Sequence, residues 1–427
     1  MTMKQTIVSF FICITWCLCI TAQPRMEKIE ISMIPDHSNG LYKLGEHAII
    51  NISITDCGMP LNNTLLSYEF GPEMMTPYKS ERTVLANHTT KIDIGTMKTP
   101  GFLRLKASVT HQDKTYSSIL TIGFEPEKLM PTTTRPDDFI EFWNNGIDAI
   151  KKIDLAPIMT LAPERCTDKV DIYDISFANI NNSRIYGTLA IPHGKGPFPA
   201  VLRLPGGGFY PRLSDAHYAS QGVIVLDIGI HGIPVNLPTE TYQHLNRLHP
   251  DFMSYNMDNP LSFYYYRAFL GSLKAVDFLM SLPQCNGNIG TLGGSQGGAL
   301  SIVVSALDPR IKATAVYHPG LCDLEGFMHN RAGGFPFYFL KEENRTPQKL
   351  STLRYYDVAN FAPMLKSPVH YTYGYNDTVC TPTSTCATYN SITAPKTLVI
   401  AQNIGHWLYP ELSENMWIWI IEQLKNH

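Results

Sequence analysis

The chain has 427 residues. A single hydrophobic core rarely extends over so many residues, so two domains are expected. Hydrophobic residues make up 44% and charged residues 17% of the composition, and the formal net charge is −3. These values are typical of a globular protein, and they argue against a partner such as nucleic acid or an anionic membrane, which would favour a strongly basic chain.

Residues 1–22 have the pattern of a secretory signal peptide. Lys4 precedes the apolar run Ile7–Ile20, and a plausible cleavage site follows Ala22. The run is too short for a transmembrane helix, so we expect cleavage, export to the periplasm or the medium, and no membrane span afterwards. Six cysteines would remain, and the sequence does not determine whether or how they pair.

Residues 23–124 show the alternation of half-buried β-strands. Ile50, Ile52 and Ile54 alternate with polar residues, and the segment 103–110 does the same. Turn signals such as Ser38-Asn39-Gly40 separate the runs. About a hundred residues of this kind predict a small all-β sandwich of immunoglobulin-like architecture, although the Cys…Trp…Cys pattern of immunoglobulin domains is missing.

Residues 125–135 form a linker rich in proline and threonine, and the catalytic domain is expected over 136–427. Pro136 suits the first turn of a helix that would bury Phe139 and Trp143. Strands then alternate with helices, which predicts a mostly parallel sheet with helices on both faces. The eight expected strands are 170–177, 185–191, 200–204, 223–228, 289–292, 313–317, 369–373 and 397–401, and the helices include 264–282 and 416–424.

The fifth strand leads into a G-x-S-x-G motif formed by Gly293, Ser295 and Gly297. A short apolar strand, this turn and a helix that starts with small residues are typical of the nucleophile elbow of an α/β-hydrolase. The sequence therefore predicts an α/β-hydrolase with an eight-stranded sheet, preceded by the sandwich. Ser295 is the candidate nucleophile, and the alternative is a glycine-rich turn with an inert serine.

An acid and a histidine follow in the order that this fold requires. Asp377 comes after the strand 369–373, and His406 comes after the strand 397–401. His406 would accept the proton of the serine, and Asp377 would orient the imidazole and stabilise the imidazolium. Asp323 and Asp357 are weaker candidates for the acid because no predicted strand places them at the site.

Two backbone N–H groups should form the oxyanion hole. One belongs to Gln296, and the other should come from the glycines after the third strand, with Gly207 as the first choice and Gly208 as the second. His231 follows the fourth strand, and a structural turn is favoured there over a catalytic part. An aromatic-rich insertion over 319–368 is expected to cover the site. No metal or cofactor is expected, since the chain contains no H-E-x-x-H motif or zinc-site spacing.

The segments Gly293–Ala299 and Asn376–Cys380 resemble the elbow and the acid motif of the acetyl xylan esterase and cephalosporin C deacetylase family. The lead-in Tyr266-Arg267 and Asp277 also fit. The resemblance runs from about residue 125 to the C-terminus. It implies a metal-free serine carbohydrate esterase that removes acetyl groups from xylan-type polysaccharides or oligosaccharides through an acyl-enzyme on Ser295.

The chain departs from this family in four places, one of which is Gly405-His406-Trp407, where the acidic residue that often follows the family's histidine is missing. Pro205-Gly206-Gly207 stands where the family has a His-Gly-Tyr-like loop, and Ile230-His231-Gly232 replaces its Arg-Gly-Gln. The short members of the family lack the sandwich and form hexamers, so the sequence leaves the oligomeric state of this chain undecided. All candidate site residues lie after residue 200, and the role of the sandwich is also open. The alternatives are a serine peptidase or general carboxylesterase of the same fold, and a catalytically dead carbohydrate-binding protein.

Overall fold

The computed structural model describes residues 28–214 and 216–426. The predicted signal peptide lies outside these residues. Within them, no helix has the length and the apolar character needed to span a bilayer.

The N-terminal part folds as two facing sheets, here called the sandwich (residues 29–124). One sheet contains β1, β3, β4 and β7, and the other has the order β2-β9-β8-β5-β6. Alternate residues face the shared core, which includes Ile50 and Ile52 from one sheet and Leu103 and Leu105 from the other. The two-layer all-β architecture is therefore confirmed. The strands are β1 Ile29–Pro35, β2 Leu41–Tyr42, β3 Ile49–Asp56, β4 Met59–Pro60, β5 Thr64–Pro72, β6 Lys79–Leu85, β7 Thr89–Asp93, β8 Gly101–His111 and β9 Lys114–Phe124.

The rest of the chain builds a second, larger sheet, here called the hydrolase sheet. Its order is β10-β11-β12-β14-β13-β15-β16-β17-β18. The first three strands pair antiparallel, and the remaining six run parallel to one another. The strands are β10 Ile158–Leu161, β11 Val170–Ala178, β12 Arg184–Pro192, β13 Phe198–Leu204, β14 Ile224–Gly229, β15 Cys285–Gly294, β16 Ile311–Tyr317, β17 Val369–Gly374 and β18 Lys396–Ala401.

All eight strands expected for the hydrolase sheet are present, and β10 adds a ninth at one edge. The four residues of β10 are all exposed, so no buried face marks this strand in the sequence. The predicted fold class, an α/β-hydrolase preceded by a small sandwich, is confirmed.

Helices cover both faces of the hydrolase sheet. One face carries the larger core, to which α1, α4 and α5 contribute Trp143, Phe269 and Val303. The other face is covered mainly by α8, which buries Trp417 and Ile420. The helices are α1 Phe139–Lys151, α2 Ala216–Ala219, α3 Thr239–Leu248, α4 Tyr264–Ser281, α5 Gln296–Leu307, α6 Pro347–Arg354, α7 Pro382–Ser391 and α8 Pro410–Lys425.

The insertion over 319–368 contains short 3-10 helices and α6. Its aromatic residues are divided between two roles. Tyr338 and Phe339 are buried in the larger core, whereas Phe335 lines the cleft at the carboxyl end of the parallel strands. The insertion is therefore a packed part of the fold that supplies one aromatic wall to the cleft.

The cysteines within the described residues are all unpaired. Cys322, Cys380 and Cys386 are buried, Cys166 and Cys285 are partly buried, and Cys57 is exposed.

Candidate active site

Ser295 occupies the sharp turn between β15 and α5. Its backbone angles are φ 55° and ψ −126°, a conformation that costs a non-glycine residue free energy and occurs mainly where the surroundings enforce it. The Ser295 N–H donates to the carbonyl of Tyr317 at 3.0 Å, and its carbonyl accepts from Gly320 N–H at 2.9 Å. These two bonds to the end of β16 and the residues beyond it hold the strained turn in place.

The glycines of the G-x-S-x-G motif are required by close backbone approach. A Cβ atom on Gly293 would lie 2.4 Å from the carbonyl oxygen of Gly297. A Cβ atom on Gly297 would lie 2.2 Å from the carbonyl oxygen of Leu204. No side chain fits at such distances, so strand and helix can meet this tightly only with glycine at both positions.

The structure brings the three candidate triad residues together. His406 Nε2 lies 3.1 Å from Ser295 Oγ, and His406 Nδ1 lies 2.8 Å from Asp377 Oδ2. Both distances fall within hydrogen-bond reach. The imidazole can therefore accept a proton from the serine hydroxyl while its other nitrogen donates to the carboxylate.

The Asp377 carboxylate is fully buried and oriented by its own turn. Its Oδ1 accepts the backbone N–H groups of Val379 at 2.8 Å and Cys380 at 2.9 Å. Because Oδ1 is bound in this way, Oδ2 is the oxygen that faces His406. The side chain of His406 is 28% exposed, which leaves one face of the imidazole open to the cleft.

Asp323 and Asp357, the weaker candidates for the acid, make other bonds. Asp357 accepts the N–H groups of Asp323 and Leu324 at 2.8 and 2.7 Å. Asp323 accepts the N–H and hydroxyl of Thr132 in the linker and pairs with Arg331. Asp357 therefore holds the insertion together from within, and Asp323 joins it to the linker. Asp377 is the carboxylate in contact with His406.

Of the two expected oxyanion donors, Gly207 borders the same cleft and Gln296 directly follows Ser295. Gly207 and Gly208 line it together with Ser295 and His406. Gln296 is the first residue of α5, so its backbone N–H has no intrahelical acceptor. The Gln296 side chain also fixes the opposite loop, since its Nε2 donates to the carbonyl of Gly206 at 3.1 Å.

The cleft has a volume of about 310 Å³. Phe335, Met253 and Val379 supply apolar walls, and His249 and Asn246 supply polar ones. A site of this size, lined by both Ser295 and His406, can hold a small acyl group.

Residues 124–423 match the family model described as acetyl xylan esterase (AXE1). The chain belongs to the acetyl xylan esterase family. It is also 37% identical over 399 residues to the acetyl esterase Axe7A of Xylanibacter ruminicola, a match that covers 92% of this chain and 90% of that protein. This esterase is thus a carboxylic ester hydrolase, as the resemblance implied.

Solved structures are similar to the esterase over about two thirds of its length. The acetyl xylan esterase from Paenibacillus sp. R4 has 25% identity and a TM-score of 0.61, covering 69% of this chain and 98% of its own. Acetyl xylan esterase 1 from Thermoanaerobacterium sp. JW/SL YS485 shares the fold at 22% identity, with a TM-score of 0.60 and coverage of 70% and 98%.

His231 supports the glycine loop after β13, which carries the expected oxyanion donor Gly207 and is here called the oxyanion loop. Its Nε2 lies 2.9 Å from the carbonyl oxygen of Gly208, and its Nδ1 lies 2.8 Å from the hydroxyl of Tyr264. The ring stacks on Phe209 at 3.9 Å. Burial lowers the pKa of His231 to about 4, so the imidazole is neutral and can donate through Nε2 while Nδ1 accepts. The sequence interpretation of a structural turn did not anticipate this contact.

His318 is a neighbour of the acid that the sequence did not single out. Its Nδ1 lies 3.9 Å from Asp377 Oδ2, and its ring centroid lies 5.0 Å from that of His406. Burial lowers the pKa of His318 to about 4, with the nearby carboxylate acting in the opposite direction. The residue follows β16 directly, but its proximity to Asp377 depends on the order of the strands, which the sequence does not reveal.

Proposed function

We propose that the esterase removes acetyl groups from xylan-type polysaccharides or their oligosaccharides, with Ser295, His406 and Asp377 as nucleophile, general base and orienting acid. The observation that carries the proposal is the continuous contact from Ser295 Oγ through His406 to Asp377, at 3.1 and 2.8 Å. A neutral serine hydroxyl is a weak nucleophile, and a histidine held in this way is the usual means of activating it.

The reaction proceeds in two halves. Ser295 Oγ attacks the acetyl carbonyl as His406 Nε2 takes its proton, and Asp377 stabilises the imidazolium that forms. The N–H groups of Gln296 and Gly207 stabilise the negative charge on the carbonyl oxygen. His406 then protonates the departing sugar oxygen. A water molecule, deprotonated by the same imidazole, attacks the acetyl-enzyme, and the imidazolium returns the proton to Ser295 Oγ as acetate leaves.

The acetylated carbohydrate is inferred from the family and from the shape of the cleft. The family description names acetyl xylan, and Axe7A of Xylanibacter ruminicola is named an acetyl esterase. A cleft of about 310 Å³ with Phe335 in its lining favours a short acyl group beside Ser295, with the sugar outside the cleft.

We further infer that residues 1–22 are a cleaved export signal and that the mature chain has two domains, 23–124 and 136–427, joined by the linker 125–135. The composition and the patterns of the sequence support this division.

A series of acyl esters tests the proposed reaction. The ratio kcat/KM should be compared for acetyl, propionyl and butyryl esters of one alcohol, and then for acetylated xylan, with Ser295→Ala as the blank. One methylene in such a cleft is worth about 1–3 kcal/mol, so acetyl should be preferred over propionyl by roughly tenfold or more. A maximum at butyryl would contradict the acetyl assignment and favour a general carboxylesterase. Stoichiometric labelling of Ser295 by a fluorophosphonate would exclude a dead hydrolase.

A further inference from the structure

The turn after β17 that carries Asp377 (residues 375–380), here called the acid turn, contacts the sandwich through the guanidinium of Arg104 on β8. Arg104 Nη2 donates to the backbone carbonyls of Tyr375 at 3.2 Å and Asp377 at 3.0 Å. Its Nε donates to Thr121 Oγ1 on the neighbouring strand β9 at 2.8 Å. The side chain is only 11% exposed, so these bonds are largely shielded from water. One residue of the sandwich thus fixes the backbone on which Asp377 is carried.

A second contact comes from the backbone of β9. The N–H of Thr121 donates to Asn376 Oδ1 at 2.9 Å. The N–H of Asn376 in turn donates to the carbonyl of Ile404 at 3.1 Å, two residues before His406. The side chain of Gln402 also donates to the carbonyl of Asn39 in the sandwich. The sandwich is therefore linked to the turn of the acid and to the loop of the histidine.

A buried carboxylate completes the contact. Glu73, directly after β5, is 1% exposed, and its Oε1 accepts the backbone N–H of Thr383 at 3.1 Å in the first turn of α7. A carboxylate at a helix N-terminus is stabilised by the free N–H groups and the helix dipole. Glu73 Oε2 lies 3.6 Å from Arg104 Nη2. Burial raises the pKa of Glu73 to about 7, and the guanidinium acts in the opposite direction. The helix that follows the acid turn is thereby held by the same sandwich residues.

An apolar contact lies beside these polar ones. Phe102, two residues before Arg104 on β8, meets the ring of Tyr375 edge-on, with 5.0 Å between ring centroids. Phe102 is 1% exposed and packs with the larger core of the hydrolase sheet rather than with the core of the sandwich. The acid turn is thus in apolar as well as polar contact with the sandwich.

We propose that the sandwich is a positioning element of the active site, and that Arg104 is the residue through which it holds Asp377 and His406 in register. This inference rests on the proposed role of Asp377 as the catalytic acid. Catalytic groups must be held within about 0.5 Å of their productive geometry, and an error of about 1 Å costs on the order of 100-fold in rate. Arg104 touches neither substrate nor reacting atoms, and it acts through the backbone of the acid turn.

The test compares Arg104→Met with Arg104→Lys and with a control, Arg82→Met. Arg82 is exposed on β6, the edge strand of the same sheet. We expect Arg104→Met to lower kcat for a small acetyl ester by about 10- to 100-fold with KM within twofold, since the cleft itself is unchanged. Lysine keeps the charge and a single donor nitrogen in place of the guanidinium fork, so Arg104→Lys should recover part of kcat. Arg82→Met should match the wild type.

A split between kcat and KM distinguishes positioning from mere domain attachment. If folded Arg104→Met has kcat within twofold of the wild type and only a lower unfolding midpoint, the proposal is overturned. If Arg104→Met does not fold, Asn376→Ala decides, because it removes only the acceptor of Thr121 N–H. A fall in kcat of fivefold or more at unchanged KM supports the proposal, and a change below twofold overturns it.

Asp377→Ala separates this inference from the proposed function. Loss of nearly all activity in Asp377→Ala together with a normal Arg104→Met would overturn only the role of the sandwich. Full activity in Asp377→Ala would instead remove the proposed acid itself.

Discussion

The nucleophile turn contains Ser295, and the acid turn contains Asp377. The residues that hold these two turns lie at very different distances from them along the chain. Ser295 is held by hydrogen bonds to Tyr317 and Gly320, within 25 residues along the chain, at the end of the adjacent strand β16 and just beyond it. The acid turn is held by Arg104, which lies 271 residues before Tyr375 and in another sheet. The first turn is therefore a local property of the hydrolase sheet, whereas the second depends on how the sandwich docks.

The difference bears on how the family can vary. The structures from Paenibacillus and Thermoanaerobacterium are covered almost completely by about 70% of this chain, so their shared part leaves little room for a sandwich. The match to Axe7A covers 92% of this chain and must include most of the sandwich. In this esterase, the sandwich supplies contacts that hold the acid turn.

The largest effect is expected at the nucleophile turn. Ser295→Ala should lower kcat by on the order of 10⁶-fold, since the members of a triad act as a unit and little remains without the nucleophile. The unfolding midpoint should stay close to that of the wild type, because the elbow is held by backbone bonds that alanine keeps. Residual activity above a few per cent on an acetyl ester would exclude Ser295 as the nucleophile.

The acid should show a comparable but smaller effect. In Asp377→Asn the amide cannot hold the imidazole in the required tautomer or stabilise the imidazolium, which should cost on the order of 10⁴ in kcat. Asp323→Asn is the matched control, because Asp323 is equally buried and binds Thr132 and Arg331 instead. If the two variants lost activity to the same extent, Asp377 would have no special role.

The same division, between support within the hydrolase sheet and support from the sandwich, decides how much of the site the sequence reveals. Ser295 could be predicted because Gly293 and Gly297 flank it, and Asp377 and His406 because each follows a recognisable strand. Arg104 could not, since it alternates with the inward-facing Leu103 and Leu105 and so has the pattern of a solvent-exposed residue. Only the docking of the sandwich on the hydrolase sheet buries it.

The fold shows the same limit. The eight strands with a buried face were predictable from their apolar runs, and the exposed edge strand β10 was not. The division of the insertion between core and cleft also depends on tertiary packing, because Phe335 and Phe339 stand four residues apart in one aromatic run.

A smaller effect is expected at the oxyanion loop, which is again supported within the hydrolase part. Tyr264→Phe removes the hydroxyl that fixes His231 Nδ1 as the acceptor, so Nε2–H no longer points reliably at Gly208. We expect kcat to fall roughly tenfold, less than the ~100- to 1000-fold for loss of a donor itself. Tyr266→Phe, whose ring packs against Phe142 of α1, is the control. Equal kcat in the two variants would show that His231 does not position the loop.

The smallest effect is expected on the free energy of unfolding and concerns His318. This residue directly follows β16, whose end holds Ser295, and it lies close to Asp377. His318 is 2% exposed, and it is faced by Asp377 and His406. Burial lowers its pKa to about 4, against an ordinary value of 6.5. Between these two values the unfolded chain binds a proton that the folded chain does not. This group therefore makes the folded state less stable as the pH falls from about 6.5 to 4, and it has no such effect above 6.5.

The variant His318→Asn isolates that contribution, and asparagine suits the φ of 30° at this position better than most residues. At neutral pH, loss of the imidazole ring lowers the free energy of unfolding of the variant by an amount that does not depend on pH. From pH 6.5 to 4 the wild type should lose up to about 3 kcal/mol of unfolding free energy relative to the variant. Urea unfolding of both proteins at pH 8, 7, 6, 5 and 4 measures the difference. A gap that is independent of pH would mean that His318 titrates normally in the folded protein, and its burial beside Asp377 would then carry no cost in acid.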